Sequence, residues 1–206
     1  MTTVAMWSGG KDSCLAVWRA LKEEEVNHLI CMMQHGKARA HGINAEVVKA
    51  QEKCIGINMV LEETTWEEYE RRLKSLFGRL GVRKAIFGDI YLEEHKLWIE
   101  RVCSEVDVRP VFPLWGENTR NLAEEFINAG FEAYVIAAKK EFRDLLGRRF
   151  DSDLVDELIR RNIDPCGEDG EFHTLVVDGP LFRRRLEFSF TEPFESEKYW
   201  HFGIKV

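Results

Sequence analysis

Residues 8–13 read Ser-Gly-Gly-Lys-Asp-Ser, directly after an apolar stretch of strand character and directly before an amphipathic helical one. Gly9 and Gly10 let the backbone turn tightly and bring amide groups up to an anion with no Cβ in the way. The first amides of the following helix add partial positive charge, so a phosphate is stabilised at such a turn. Ser8 and Ser13 offer hydroxyl donors, and Lys11 offers a full charge for a phosphate leaving group. This is not a GxxxxGK[ST] loop, because the paired glycines are followed at once by Lys11 and Asp12. The same residues also read as an ordinary glycine-rich turn capped by Ser8 and Asp12.

A second concentration of reactive groups lies at residues 167–174, Gly-Glu-Asp-Gly-Glu-Phe-His-Thr. Glu168 and Glu171 are suited to binding a cation or orienting an amine nucleophile, and His173 and Thr174 to holding a carboxylate or phosphate. The alternative is a solvated acidic turn ahead of an edge strand.

The elements that must carry these groups follow from hydrophobic periodicity. Apolar runs at residues 3–7, 27–33, 57–62, 84–89 and 108–115 read as strands. They alternate with amphipathic stretches at 12–22, 44–54, 65–80 and 92–105. The third helix opens on Thr-Trp-Glu-Glu, an N-cap pattern with an acidic first turn. This rhythm predicts an α/β fold, a doubly wound parallel sheet with residues 8–13 at the carboxyl end of its first strand, where such sheets bind ligands. Beyond residue 115 the pattern loosens. A helix is expected at 120–129, a strand at 131–138, a helix at 152–161 and strand-like runs at 175–182, 186–192 and 199–206. Together these read as a smaller mixed α+β C-terminal domain, with the boundary at 117/118.

The chain has 206 residues, 45% of them hydrophobic and 32% charged, which fits an ordered protein with a sizeable core. No apolar run reaches membrane-spanning length, and the N-terminus lacks the basic-then-apolar pattern of a signal peptide. The expectation is a cytoplasmic protein without membrane contact. A net charge of -7 argues against general nucleic-acid binding. The five cysteines stand singly, with no zinc spacing, and read as reduced, buried residues. The six tryptophans are core or interface material, which leaves a homodimer open. His28, His35, His95 and His201 stand alone and read as structural or exposed, and Arg183, Arg184 and Arg185 as a solvated strand end.

The Ser-Gly-Gly-Lys-Asp-Ser run resembles the signature of the PP-loop, or adenine nucleotide α-hydrolase-like, superfamily, whose Rossmann-like members release pyrophosphate from ATP and transfer AMP. The phrase GEDGEFHTLVVDGPLF from Gly167 onward, with HGI at residues 41–43 and PLW at 113–115, resembles the diphthine-ammonia ligase family. The resemblance runs from about residue 3 to about residue 185. It implies that a substrate carboxylate attacks the α-phosphate of ATP, pyrophosphate leaves, and ammonia captures the acyl-adenylate to give an amide and AMP. In that family the carboxylate is diphthine, a modified histidine of elongation factor 2, the implied protein partner.

The resemblance also implies residue roles. Ser8, Gly9, Gly10, Lys11, Asp12 and Ser13 cradle ATP, and Asp12 also organises Mg²⁺. His41 sits near the adenine, Gly88, Asp89 and Thr174 line the nucleotide site, and Lys11, Asp12, Glu168, Glu171 and His173 serve the chemistry. The stretch FGDIYLEEHKLWIERVC keeps Gly88, Asp89 and Arg101 of the family's pattern but not its serine and glutamine, so the expected acceptor is diphthine or a related acid. Two other readings remain on sequence grounds: adenylation of another acceptor such as a tRNA base, and a nucleotide-binding module without turnover.

Overall fold

The computed structural model describes residues 2–38 and 42–206. Five parallel strands form the first sheet: β1 (Thr2–Met6), β2 (His28–Gln34), β4 (Asn58–Glu63), β5 (Val82–Ile86) and β6 (Arg109–Val111). They lie side by side as β4-β2-β1-β5-β6, and the two-residue β3 (Lys37–Ala38) pairs antiparallel with the end of β2. The chain therefore winds outward from β1 in both directions. The crevice where it reverses opens above the carboxyl ends of β1 and β5.

Strand β2 buries Leu29, Ile30, Cys31, Met32 and Met33, a continuous run that only a strand covered on both faces can carry. Its side chains divide by alternation. Leu29, Cys31 and Met33 face one core with α1 (Lys11–Ala20) and α2 (Ala45–Ile55). Ile30 and Met32 face the other with α3 (Tyr69–Leu80) and α4 (Glu93–Ser104). Helix α2 is capped by the Asn44 side chain, which accepts from the Val47 amide at 3.0 Å. Gly56 then ends it in the left-handed conformation.

The second half holds α5 (Thr119–Asn128), α6 (Ser152–Arg160) and an antiparallel sheet of β7 (Glu132–Lys139), β8 (Phe172–Asp178), β9 (Ser189–Glu195) and β10 (Tyr199–Lys205), ordered β8-β7-β10-β9. The core on the α1/α2 side of the first sheet runs on without a break into this sheet through Leu122, Phe126, Val135, Leu175 and Val177. The five cysteines are free and buried. Among the described residues no helix is long and apolar enough to cross a membrane.

Several elements depart from the sequence pattern: β6 stops at Val111 rather than residue 115, and β9 starts at Ser189 rather than residue 186. Helix α3 begins at Tyr69 rather than residue 65, because residues 66–68 form a turn in which the Tyr69 amide donates to the Trp66 carbonyl, an i to i+3 bond that precedes regular α-helix. A 3₁₀ segment, Lys140–Leu145, follows β7. The strand expected at 175–182 stops at Asp178, since Gly179 adopts φ +141° and turns the chain across Phe131.

A Cβ on Gly179 would stand 2.2 Å from Phe131 Cδ1, in a backbone conformation that side chains other than glycine's do not accept. Gly179→Ala is expected to lower the free energy of unfolding by about 2–3 kcal/mol. Urea denaturation measures it, and an unchanged midpoint would show that the turn can open at no cost.

Candidate active site

The loop between β1 and α1 is shaped by its glycines and its neighbours. Gly9 has φ +84°, and a Cβ there would meet Ile43 Cδ1 at 2.7 Å and Gln51 Oε1 at 3.0 Å. Gly10 occupies the N-cap position and provides no side chain, so α1 starts without a cap of its own. The Lys11 amide instead donates to Thr174 Oγ1 at 3.1 Å, across to β8. Ser8 and Ser13 hydroxyls lie 3.0 Å apart, bracing the two ends of the loop. Gln51, fully buried on α2, accepts from the Trp7 indole at 3.0 Å and donates to the carbonyls of Gly9 at 3.2 Å and Val176 at 2.9 Å. One amide side chain thus ties the loop to both sheets.

Lys11 corrects the simplest reading of the motif. Its side chain is buried beneath the loop, with the ammonium over the rings of Phe150 at 5.7 Å and Phe172 at 5.3 Å. The ammonium donates to the Cys166 carbonyl and, at 2.9 Å, to Asp12 Oδ2. Burial pulls its pKa down, but the carboxylates of Asp12 and Glu168 help to outweigh that and the net shift is upward, so the lysine stays charged. Its charge anchors Asp12 and the segment before the acidic loop, and it does not line the cleft.

The cleft itself, about 260 Å³, opens at the carboxyl ends of β1, β2 and β5. Met6, Trp7, Met32 and Tyr69 give it an apolar side, while Ser8, Asp12, Ser13, Gly88, Asp89, His95 and Glu168 give it a polar one. Gly88 is there because the chain passes close to the loop: a Cβ would lie 3.0 Å from the Ser13 amide nitrogen. Glu168 is largely desolvated and faces Asp12, and its carboxyl is pushed up to about 8 by burial first and by Asp12 second, with Lys11 opposing. A carboxyl that titrates near neutrality inside a cleft is a candidate proton acceptor.

The predicted residues therefore divide. Ser8, Asp12, Ser13, Gly88, Asp89 and Glu168 share the cleft, and Gly9, Gly10, Lys11 and Thr174 support its floor. Glu171 is buried behind it, with Oε1 accepting from the Asp164 amide at 3.4 Å and Oε2 without a hydrogen-bond partner among the described residues. His173 lies outside the cleft, on the face of β8 opposite Phe172 and Thr174, with its ring 5.4 Å from that of Tyr199. This placement corrects a direct part for His173 in cleft chemistry. His41 lies outside the described residues. His95 is exposed, as one of the two expected readings had it, but it is not isolated: it lines the cleft and bonds through Nδ1 to Asp89 Oδ1. Its place in the first turn of α4, the helix that follows β5 at the switch-point edge of the sheet, was the available signal. Trp7 and Gln51 were also missed, since a buried glutamine in an amphipathic helix gives no pattern of its own. The arginine run is not a strand end: Arg183 donates to the Gly56 carbonyl at 3.4 Å and Arg185 pairs with Glu132.

With that geometry in place, comparison with known proteins gives a consistent result. Two family models match, "Diphthamide synthase N-terminal domain" over residues 1–110 and "Diphthamide synthase C-terminal domain" over residues 118–206. Relatives named diphthine–ammonia ligase include one from Danio rerio, 24% identical over 93% of this chain and 88% of its own length. A second, from Rattus norvegicus, is 22% identical over 90% and 82%. A third, from Schizosaccharomyces pombe, is 24% identical over 90% of this chain, which spans only 36% of that longer protein. A solved structure described as a predicted subunit of tRNA methyltransferase from Methanocaldococcus jannaschii is similar at TM-score 0.50 and 16% identity. It covers 90% of this chain and all of its own, a likeness of fold.

Two outcomes are expected from this geometry. Because the Glu168 carboxyl titrates at about 8 in the folded chain, the folded state binds more protons than the unfolded one between the ordinary carboxyl range and pH 8. Stability is lost as pH rises through that window. Glu168→Gln should therefore raise the Tm at pH 8.5 and bring no comparable gain at pH 5. Equal effects at both pH values would show that the carboxyl is not displaced. Gln51→Leu takes the acceptor from the buried Trp7 indole and a donor from the Gly9 and Val176 carbonyls, and should cost about 2–3 kcal/mol in urea unfolding, a loss that a neutral result would contradict.

Proposed function

Since the chain belongs to the diphthamide synthase family, we propose that it is an ATP-dependent, AMP-forming ligase that joins ammonia to a substrate carboxylate, diphthine on elongation factor 2 or a related acid. The observation that carries this reading is the junction of the two motifs. The loop at residues 8–13 and the acidic segment at 167–174 are joined by the bonds from Lys11 to Thr174 and to Cys166, and they present Asp12 and Glu168 to one cleft.

The uncapped start of α1 and the hydroxyls of Ser8 and Ser13 suit the phosphates of ATP, and the apolar side of Met6, Trp7 and Met32 suits its base. Among the described residues no three His, Cys, Asp or Glu side chains converge as a closed metal cage. That donor set still fits Mg²⁺, which takes one or two carboxylates and completes its shell with waters and substrate phosphates. Asp12, steadied by Lys11, would hold it, and the ion would neutralise phosphate charge.

Attack of the substrate carboxylate on the α-phosphorus forms an acyl–phosphate bond and breaks the bond to pyrophosphate. The hydrogen-bond donors of the loop favour the charge that builds on the phosphorus oxygens. Glu168 then accepts a proton from an ammonium ion. The ammonia so formed attacks the acyl carbon, AMP leaves with the carbon–oxygen bond pair, and the surplus proton on nitrogen passes to water to give the neutral amide. A carboxyl lifted to about 8 is matched to that transfer at neutral pH.

With Mg-ATP, ammonium and diphthine-bearing elongation factor 2, the expected products are AMP and pyrophosphate in a one-to-one ratio with the new amide. Asp12→Ala and Glu168→Gln should each lower turnover by about 100-fold or more. Formation of ADP and phosphate would remove the ligase reading.

A further inference from the structure

The described residues that line the cleft include three carboxylates, Asp12, Asp89 and Glu168, and no lysine or arginine. Lys11 is turned beneath the loop. A triphosphate entering this cleft would meet partial charges from loop amides and hydroxyls and, among the described residues that line it, one side chain able to carry a full positive charge, His95.

That side chain is built into its place. Its Nδ1 is bonded to Asp89 Oδ1, which leaves Nε2 as the ring nitrogen free to serve a ligand. The imidazole stacks on Trp98 with centroids 5.7 Å apart and planes 2° from parallel. Trp98 in turn donates its indole N–H to Glu70 Oε2 at 3.2 Å, and Glu70 is held by Arg101 at 2.6 Å. The chain from Arg101 to His95 joins α3 to α4 and fixes the plane of the ring at the edge of the cleft.

We propose that His95 is a direct ligand of the nucleotide's phosphate chain, donating from Nε2 to a phosphate oxygen, and that Asp89 is the positioning residue that sets its tautomer and orientation. The proposal rests on the reading that this cleft takes ATP. It assigns a task to the segment after β5, where the chain keeps Gly88 and Asp89 of the resembled family's pattern but lacks its serine and glutamine.

The surroundings favour the charged ring. Asp89 faces it from the loop before α4, Glu93 and Glu94 lie on its own helix, Glu70 lies on α3, Asp12 on α1 and Glu168 on the acidic loop. Hydrogen bonding to Asp89 raises the imidazole's pKa, burial opposes this, and Glu168 adds to the rise. Protonation therefore strengthens phosphate binding as pH falls through the imidazole's range, and deprotonation weakens it.

The test uses Mg²⁺ with α,β-methylene-ATP, which cannot be cleaved between the α- and β-phosphates, and calorimetric titration of the whole chain at pH 5.5 to 8.5. At pH 6 His95→Gln should bind about tenfold or more weakly than the native chain, and the gap should close towards pH 8.5. The titrations of Glu168 and of the ligand itself are common to both proteins, so the difference isolates the imidazole. Asp89→Asn should move the gap's midpoint to lower pH, and imidazole NMR should show the His95 midpoint rising when the analogue binds. His95→Lys should bind tightly with no such pH dependence, which separates lost charge from lost folding. Equal affinity of native and His95→Gln chains at every pH, or an unchanged His95 midpoint on binding, would overturn the proposal. No binding by the native chain would instead overturn the nucleotide reading beneath it.

Discussion

A helix that begins inside a protein without a cap leaves amide donors that something must satisfy, and the organisation of this chain follows from how α1 meets that requirement. The glycines that make the loop tight enough for an anion also deprive the helix of a capping side chain. Part of the need is met from a distance, by Thr174 on β8, 163 residues later in sequence. The same strand donates its Val176 amide to the Gly9 carbonyl. Gln51 then closes the triangle between loop, α2 and β8. The antiparallel sheet is thus part of the wall that holds the loop in shape, which accounts for the unbroken core between the two sheets.

The electrostatics of the cleft follow from the same arrangement. Lys11 sits where a phosphate-binding lysine is expected in sequence, but the space under the loop is apolar, lined by Phe150 and Phe172, and its ammonium is drawn to a carbonyl and a carboxylate. The cleft above is left acidic. Burial together with the neighbouring Asp12 disfavours ionisation of Glu168. The cleft's three carboxylates favour a cation over an anion. An acidic site can handle a polyanion when counter-charge arrives with the ligand or is held at a fixed point on the wall.

Much of this was legible in the sequence. The five parallel strands and their helices follow from continuous apolar runs alternating with amphipathic ones, a signal that long-range packing reinforces. Ser8, Asp12, Ser13 and Glu168 were legible because glycine-flanked polar clusters at a strand end have few other uses. What stayed hidden was direction. Period and composition place Lys11 at the loop but say nothing of which side of it the ammonium occupies, and they place His173 in the acidic motif although strand alternation turns it outward. His95 was hidden for the opposite reason. It belongs to no cluster in sequence, and its partners Asp89 and Trp98 meet it only because a turn and a helix bring them round.

The two halves of the site also differ in how they are held, and that difference bears on how the chemistry could change within one fold. The loop, Gln51 and β8 form a closed hydrogen-bonded unit in which most members are buried, so substitution there disturbs polar groups that water cannot reach. The wall formed by Asp89, His95 and Trp98 stands at the rim, half open to solvent, and is braced by ion pairs along exposed helix faces. Changes at such a rim cost little stability. A fold that fixes the floor of its cleft with buried bonds and hangs the facing wall on surface pairs can keep the floor while the wall is rebuilt. The altered segment after β5 is the kind of change that this construction permits.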